Sequence, residues 1–353
     1  MQLVQLRGRG AAQNPKNRFE AAEYVPDPDA FDPDEPDPRT ELLRDHTRGI
    51  ISRNDSPDIP FETSVNPYRG CEHGCIYCFA RPTHEYLGFS AGLDFETRIL
   101  VKHEAAELLR RELASPRWTP QPIAMSGVTD PYQPVERRLG ITRACLEVLA
   151  EFRNPVAMVT KNHLVTRDID LLGELASHQA ACVNVSITSL DEKLQRVMEP
   201  RASTPARRLE AVRKVSAAGI PVRVLVAPVI PGLTDHEMPA ILAAAAEAGA
   251  GAASYIPLRL PYGLKGLFED WLETHFPDRK DKVLNRIREM RGGKLYDSEW
   301  GTRMRGEGVF ADQYEAMFGA LTRKLGMVRH IPPLSAAAFR RPHNPSGQMA
   351  LFD

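Results

Sequence analysis

From Phe61 onward, short apolar runs alternate with longer stretches in which apolar side chains recur every three or four positions. The runs predict strands and the periodic stretches predict helices. Strands are expected over 63–68, 123–128, 156–160, 182–188, 222–227 and 252–256. Helices are expected just after Cys78 and over 104–113, 143–152, 167–177, 205–218 and 236–248. Apolar runs this short, with helical segments between them, suit parallel strands buried on both faces. Gly219 and Gly249 fall where helix C-caps belong. Six βα units are three quarters of an eight-unit barrel, and no strand signal follows Pro257. The expected fold is α/β, a partial (β/α)6 TIM-type barrel. Its ligands should gather at the C-terminal ends of the strands.

The flanks break this rhythm. Residues 1–20 are basic (Arg7-Gly8-Arg9-Gly10, Lys16, Arg18) and read as a solvated arm, or as an arm that touches phosphates. Residues 26–38 hold six acids and five prolines. Proline removes donors and like charges repel, so this is a linker without secondary structure. Its charge opposes that of the arm and would shield a basic surface. After Gly266 only helical patterns remain, at 267–275, 281–290 and 313–325. The expected organisation is an arm and acidic linker over 1–60 and the partial barrel over 61–265. A helical C-terminal region over 266–339 and a flexible tail over 340–353 follow.

Composition narrows the classes. The chain has 353 residues, 42% apolar, with a net charge of −1, so nucleic-acid binding would need a local basic patch. No apolar run reaches the length of a membrane span. The first thirty residues hold no apolar core of a secretory signal. A cytoplasmic protein without a membrane partner is expected, in a compartment that keeps thiols reduced. Five cysteines in this length are no disulfide framework.

Three of the five stand in one stretch, Gly70-Cys71-Glu72-His73-Gly74-Cys75-Ile76-Tyr77-Cys78, spaced C-x3-C-x2-C. Metal sites and cubane clusters usually take four protein ligands. Three close thiolates without a near fourth suggest a cube with one open iron. A zinc site of the three cysteines and His73 is the alternative, although His73 would strain a tetrahedron in so tight a loop. Cys145 and Cys182 read as small core residues.

Cys71, Cys75 and Cys78, with the aromatic Tyr77 before the last, resemble the signature of the radical S-adenosylmethionine (SAM) superfamily. The resemblance implies a [4Fe-4S] cluster on the three cysteines and SAM on the open iron. It also implies an electron donor such as flavodoxin or ferredoxin, and reductive cleavage of SAM to a 5'-deoxyadenosyl radical. Within the superfamily, 66–71, 127–136, Thr160-Lys161 and 185–188 are most similar to the spore photoproduct lyase branch, whose chemistry is DNA repair. That lyase carries a hydrogen-donating cysteine near the position of Gly127. No cysteine stands there, so the resemblance does not extend to dimer reversal by that route.

The strand ends supply further candidates. The resemblance implies that Gly127, Thr129 and Asp130 meet the SAM amino group; the same residues also suit an ordinary turn. Glu136 is a lesser candidate. Lys161 suits a carboxylate or phosphate. Ser186 and Thr188 suit the ribose or carboxylate of SAM. Residues 227–232 make an apolar turn that would wall the adenine, and Arg259 suits a substrate anion. At the C-terminus, Gln348-Met349-Ala350-Leu351-Phe352 resembles the pentapeptide by which bacterial repair proteins bind the replication sliding clamp. These readings converge on a radical SAM enzyme acting on DNA. A peptide or small-molecule substrate, and a non-catalytic iron–sulfur redox sensor, are the alternatives.

Overall fold

The computed structural model describes residues 6–20 and 39–342. Ten strands occur in chain order: β1 (Glu41–Arg44), β2 (Ile51–Arg53), β3 (Thr63–Val65), β4 (Tyr68–Arg69), β5 (Arg98–Val101), β6 (Ile123–Met125), β7 (Val156–Thr160), β8 (Ala181–Ser186), β9 (Val222–Val229) and β10 (Ala252–Pro257). Seven form one sheet, in the order β10-β9-β8-β7-β6-β3-β2. The six from β3 and β6 to β10 are parallel, and β2 lies antiparallel at the edge. These six parallel strands are the six that the apolar runs predicted. Val156, Met158, Val183 and Val224 are sealed from solvent. Each side chain of this size contributes about 1.5–3 kcal/mol on burial.

The sheet does not close into a barrel. Beyond β10, Val328 pairs with Ala252 in a parallel bridge, and the Ala253 N–H donates to the Val328 carbonyl at 3.0 Å. That short contact covers part of an edge that would otherwise offer unpaired backbone groups. The expected C-terminal helices appear as Leu264–His275, Pro277–Glu289 and Gly308–Lys324. Phe268, Trp271, Leu284 and Ile287 from the first two share an apolar cluster with Cys75, Ile76 and Tyr77. The helical region therefore packs on the cysteine loop itself. Among the described residues no helix is long and apolar enough to cross a membrane.

Three expectations need correction. The strand read over 63–68 is two strands: β3 belongs to the large sheet, while β4 pairs with β5 in a separate sheet ordered β1-β5-β4. The break falls at Asn66-Pro67, where proline has no N–H for a ladder. The Asn66 side chain instead accepts from the Val128 N–H at 3.1 Å. The basic arm is not solvated throughout: Arg9, Ala11 and Asn17 are buried. The start of the tail is also held, since the Arg340 N–H donates to the Phe152 carbonyl and its Nε to the Glu151 carbonyl, both at 2.9 Å. Residues 21–38 and the clamp-like pentapeptide lie outside the described residues.

Candidate active site at the cysteine loop

The loop 70–78 follows β4 and is shaped by two glycines. Gly70 (φ +82°) and Gly74 (φ +67°) lie in the left-handed region that favours glycine. A Cβ on Gly70 would meet His84 Cε1 at 2.9 Å, and one on Gly74 would meet Glu96 Oε2 at 2.7 Å. Space as well as φ requires glycine at both. The loop is then fastened from beneath by Arg81, which is fully buried. Its Nε donates to the Cys75 carbonyl at 2.9 Å, its Nη1 to the Gly92 carbonyl at 2.9 Å, and its Nη2 pairs with Glu96. Glu96 is also buried, and it accepts from the Gly10 and Ala11 N–H groups at 2.9 Å each. This need for donors explains why the arm packs: a buried carboxylate left short of partners is costly.

The three thiols share a dry environment. Cys71 and Cys75 are buried, and Cys78 is the least covered of the three. Burial pushes the Cys71 thiol well up, and the charges of Asp130, Cys75 and Cys78 push it further. Burial likewise raises Cys75, with Glu199 adding to it and Lys161 opposing. Cys78 is raised by burial against the pull of the Ala80 N–H, Arg81 and Lys161. Three thiols that resist ionisation and repel one another as thiolates are poised for a cationic ligand, which would invert that cost. The donor set thus fits an iron–sulfur cube.

It does not fit the zinc alternative. Both ring nitrogens of His73 are engaged elsewhere, Nδ1 with Asp130 Oδ2 at 3.3 Å and Nε2 with Asn162 Nδ2 at 3.1 Å. Among the described residues no three His, Cys, Asp or Glu side chains converge on a single metal ion. A cube asks less convergence, taking one sulfur at each of three irons.

The strand-end candidates surround this loop, with partners that sort them. Asp130 is a hub. Its Oδ1 accepts from the Tyr132 N–H at 2.8 Å and the Thr160 hydroxyl at 2.7 Å, and its Oδ2 from the Lys161 N–H at 2.8 Å. Burial would raise its carboxyl, but His73 and these donors hold it below the usual range. With His73 as the fourth partner its oxygens are occupied, so it ties β6, β7 and the cysteine loop together. Thr129 is spent similarly, donating to the Gly70 carbonyl at 2.6 Å. Glu136 is buried under the Tyr68 hydroxyl (2.5 Å), the Thr142 N–H (2.9 Å) and Arg167 (2.6 Å), away from the lesser role considered for it. Cys145 and Cys182 lie buried, Cys145 within the main apolar core.

Gly127 and the hydroxyl of Ser186 are not spent in this way, although Ser186 is buried. Gly127 has φ +143°, and a Cβ there would meet nothing nearer than Asn66 at 3.6 Å. Ser126 beside it holds φ +141°, a strained value for a residue with a side chain. The Ser186 hydroxyl has no protein partner among the described residues, although its carbonyl accepts from Arg208 Nη1 at 3.1 Å.

Tyr77, Lys161 and Thr188 meet on a residue that the sequence reading missed, Glu199. The Tyr77 hydroxyl donates to it, the Thr188 hydroxyl donates at 2.9 Å, Lys161 Nζ lies at 3.8 Å, and Arg208 pairs with it. Tyr77, Thr188, Glu199 and Arg208 are all buried. Lys161 lies 5.7 Å from the Tyr77 ring centre, and burial lowers its ammonium pKa against the pull of Cys75. The backbone around Glu199 grips the loop too: Ile76 N–H donates to the Met198 carbonyl at 3.1 Å, and Arg201 N–H to the His73 carbonyl at 3.2 Å. The one signal in the sequence was a glutamate before a proline, Glu199-Pro200, between two helical stretches.

At the rim, Phe79 is 54% exposed immediately after Cys78. The Arg259 guanidinium sits 5.5 Å from the Phe79 ring centre. Arg259 Nη1 rests on Met304 Sδ at 3.1 Å, and its Nε is buried without a partner among the described residues. Ile230, in the turn expected to wall the adenine, joins the cluster that holds Cys75 and Tyr77.

Comparison with known proteins agrees with this arrangement. The sequence profile of the Radical SAM superfamily matches residues 65–245, just over half of the chain. An uncharacterized protein of Mycobacterium bovis is 39% identical over 234 residues, 66% of this chain and 68% of its own. One of Methanocaldococcus jannaschii is 28% identical over 173 residues, 49% of this chain and 62% of its own. Spore photoproduct lyase complexed with dinucleoside spore photoproduct aligns at TM-score 0.56, with 17% identity over 82% of this chain and 81% of the lyase. A doubly substituted mutant of that lyase, with bound SAM and the same photoproduct, aligns at 0.55, with 17% identity over 82% and 80% of the two chains. The shared architecture, the triad of closely spaced thiols and the profile match lead to one conclusion: this chain belongs to the radical SAM superfamily and is an enzyme of the kind that works with a [4Fe-4S] cluster and SAM.

Proposed function

We propose that this radical SAM enzyme acts on nucleic acid, in a reaction related to DNA repair. The observation that carries the reading is the rim beside Cys78: an exposed aromatic, Phe79, under an arginine whose Nε–H has no partner among the described residues. Bases stack on exposed aromatic rings and guanidinium groups grip phosphates, so this pair suits an unstacked nucleotide. The likeness to spore photoproduct lyase in fold is in keeping with it.

The cluster and SAM, when bound, supply the reductive cleavage and the radical; an external donor such as flavodoxin or ferredoxin supplies the electron. The chain's residues orient and protect. Cys71, Cys75 and Cys78 would hold the cluster. Gly127 leaves room for a ligand at the end of β6, and Asp130 and Thr129 hold that turn against the loop. The Ser186 hydroxyl is free to meet SAM, while Tyr77, Thr188, Glu199 and Lys161 form the polar wall beside Cys75. The apolar cluster under the loop keeps water from the cluster.

The test is anaerobic reconstitution with iron and sulfide, then SAM, dithionite and single- or double-stranded oligonucleotides. The expected result is 5'-deoxyadenosine formed faster with nucleic acid, and a mass change in the oligonucleotide. Release that is indifferent to nucleic acid, with no mass change, would sink the substrate assignment.

A further inference from the structure

A second feature borders the cysteine loop at Glu72. A cleft of about 750 Å3 opens between the N-terminal segment, the residues preceding β1 and the turn after β6. Arg7, Arg9, Arg39, Arg137, Arg138 and Arg201 line it, and among the described residues the one acid in its lining is Glu72. The chain as a whole is neutral to within one charge, so this concentration is local. Glu72 is already engaged: it meets Arg201 at 3.1 Å and accepts from the Val135 N–H at 2.7 Å and the Thr40 hydroxyl at 2.8 Å. Arg7, Arg137 and Arg138 are exposed, and they have no acidic partner among the described residues. Nor does Arg39. The cleft holds far more than one phosphate, and like charges crowded around it repel until anions enter.

We propose that this cleft binds the phosphodiester backbone of a nucleic acid, holding the strand whose lesion or modified base reaches the cluster. It rests on the reading of the substrate as nucleic acid and adds where the backbone runs. Arginine suits the task, because its planar fork binds phosphate oxygens in pairs. Glu72 places the site: it follows Cys71 directly, and its N–H donates to Gln133 Oε1 at 2.9 Å. A strand in the cleft therefore lies one residue from a cluster ligand.

The experiment is fluorescence anisotropy of the full chain with labelled single- and double-stranded oligonucleotides across a salt series. It is run on the native chain and on one with Asp27, Asp29, Asp32, Asp34, Glu35 and Asp37 changed to amides, so that the acidic linker cannot mask binding by filling the cleft. Arg137→Gln with Arg138→Gln should weaken binding roughly tenfold. The slope of log affinity against log salt should fall by roughly 0.9 per arginine on duplex, or 0.7 on single strands. Both side chains are exposed, and an unchanged melting curve confirms that the variant folds. Arg213→Gln, an exposed arginine outside the cleft, serves as control and should leave affinity and slope in place. Equal binding by the double variant and the native chain overturns the cleft assignment while leaving the substrate reading intact, as does an equal loss with the control. Cleft-dependent binding without modification of any oligonucleotide has the opposite meaning: the cleft stands and the substrate reading fails.

Discussion

Glu199 shows how much one buried carboxylate organises. It neutralises Arg208, receives the Tyr77 and Thr188 hydroxyls, and faces Lys161 across 3.8 Å. Glu199→Gln preserves size and some hydrogen bonding but leaves the Arg208 charge buried without a counter-ion. Removing one partner of such a pair costs about 3–5 kcal/mol. The expected outcome is a lower denaturation midpoint, together with a fall in 5'-deoxyadenosine formation larger than the fall in iron content. A variant as stable as the native chain would show that Arg208 does not depend on this carboxylate. Residues of this kind escape sequence reading because charge pairs between distant positions leave no periodic trace. The cysteines did not escape, because the three stand within eight residues of one another, a spacing visible along the chain.

At the scale of elements, the N-terminal segment is the surprise. Its Gly-Arg-Gly read as a solvated arm, yet a Cβ on Gly10 would fall 1.8 Å from the Gly74 carbonyl oxygen. The glycine is there because two backbones touch. Deleting residues 1–12 removes two N–H donors from Glu96, each worth about 1.5–3 kcal/mol to a charged acceptor. The cysteine loop should loosen, and a reconstituted cluster should bleach several-fold faster under a chelator than in the full chain. Equal bleaching rates would mean that Arg81 alone holds Glu96 and the loop. The six parallel strands, by contrast, were legible because each is a continuous apolar run buried on both faces. β1, β2 and β5 were not, nor was β4 as a separate strand: they are two to four residues long, too short to show a period, so their pairing comes from neighbours rather than from pattern.

At the scale of the molecule, the residues of the cysteine loop have different neighbours. Cys75, Ile76 and Tyr77 meet the helical C-terminal region through an apolar cluster, while Glu72 lines the arginine cleft. If the enzyme works on nucleic acid, the C-terminal pentapeptide has a partner to match, and we propose that it docks on the sliding clamp. A synthetic peptide of residues 344–353 should bind purified clamp, and Leu351→Ala with Phe352→Ala should abolish binding, because two terminal apolar side chains anchor such peptides. Binding unchanged by that double substitution would remove the tail from the argument.

The amino-acid sequence alone determined the six-strand parallel core and the superfamily, since each is written in local spacing or in hydrophobic period, and it singled out Cys71, Cys75 and Cys78 as the candidate cluster ligands. Only the tertiary structure decided that both ring nitrogens of His73 are engaged by Asp130 and Asn162, that Asp130 and Thr129 brace rather than reach outward, that Glu199 gathers Tyr77, Thr188, Lys161 and Arg208, and that six scattered arginines line one cleft. Those outcomes depend on which distant side chains become neighbours, and burial, not sequence separation, sets the energy of such meetings.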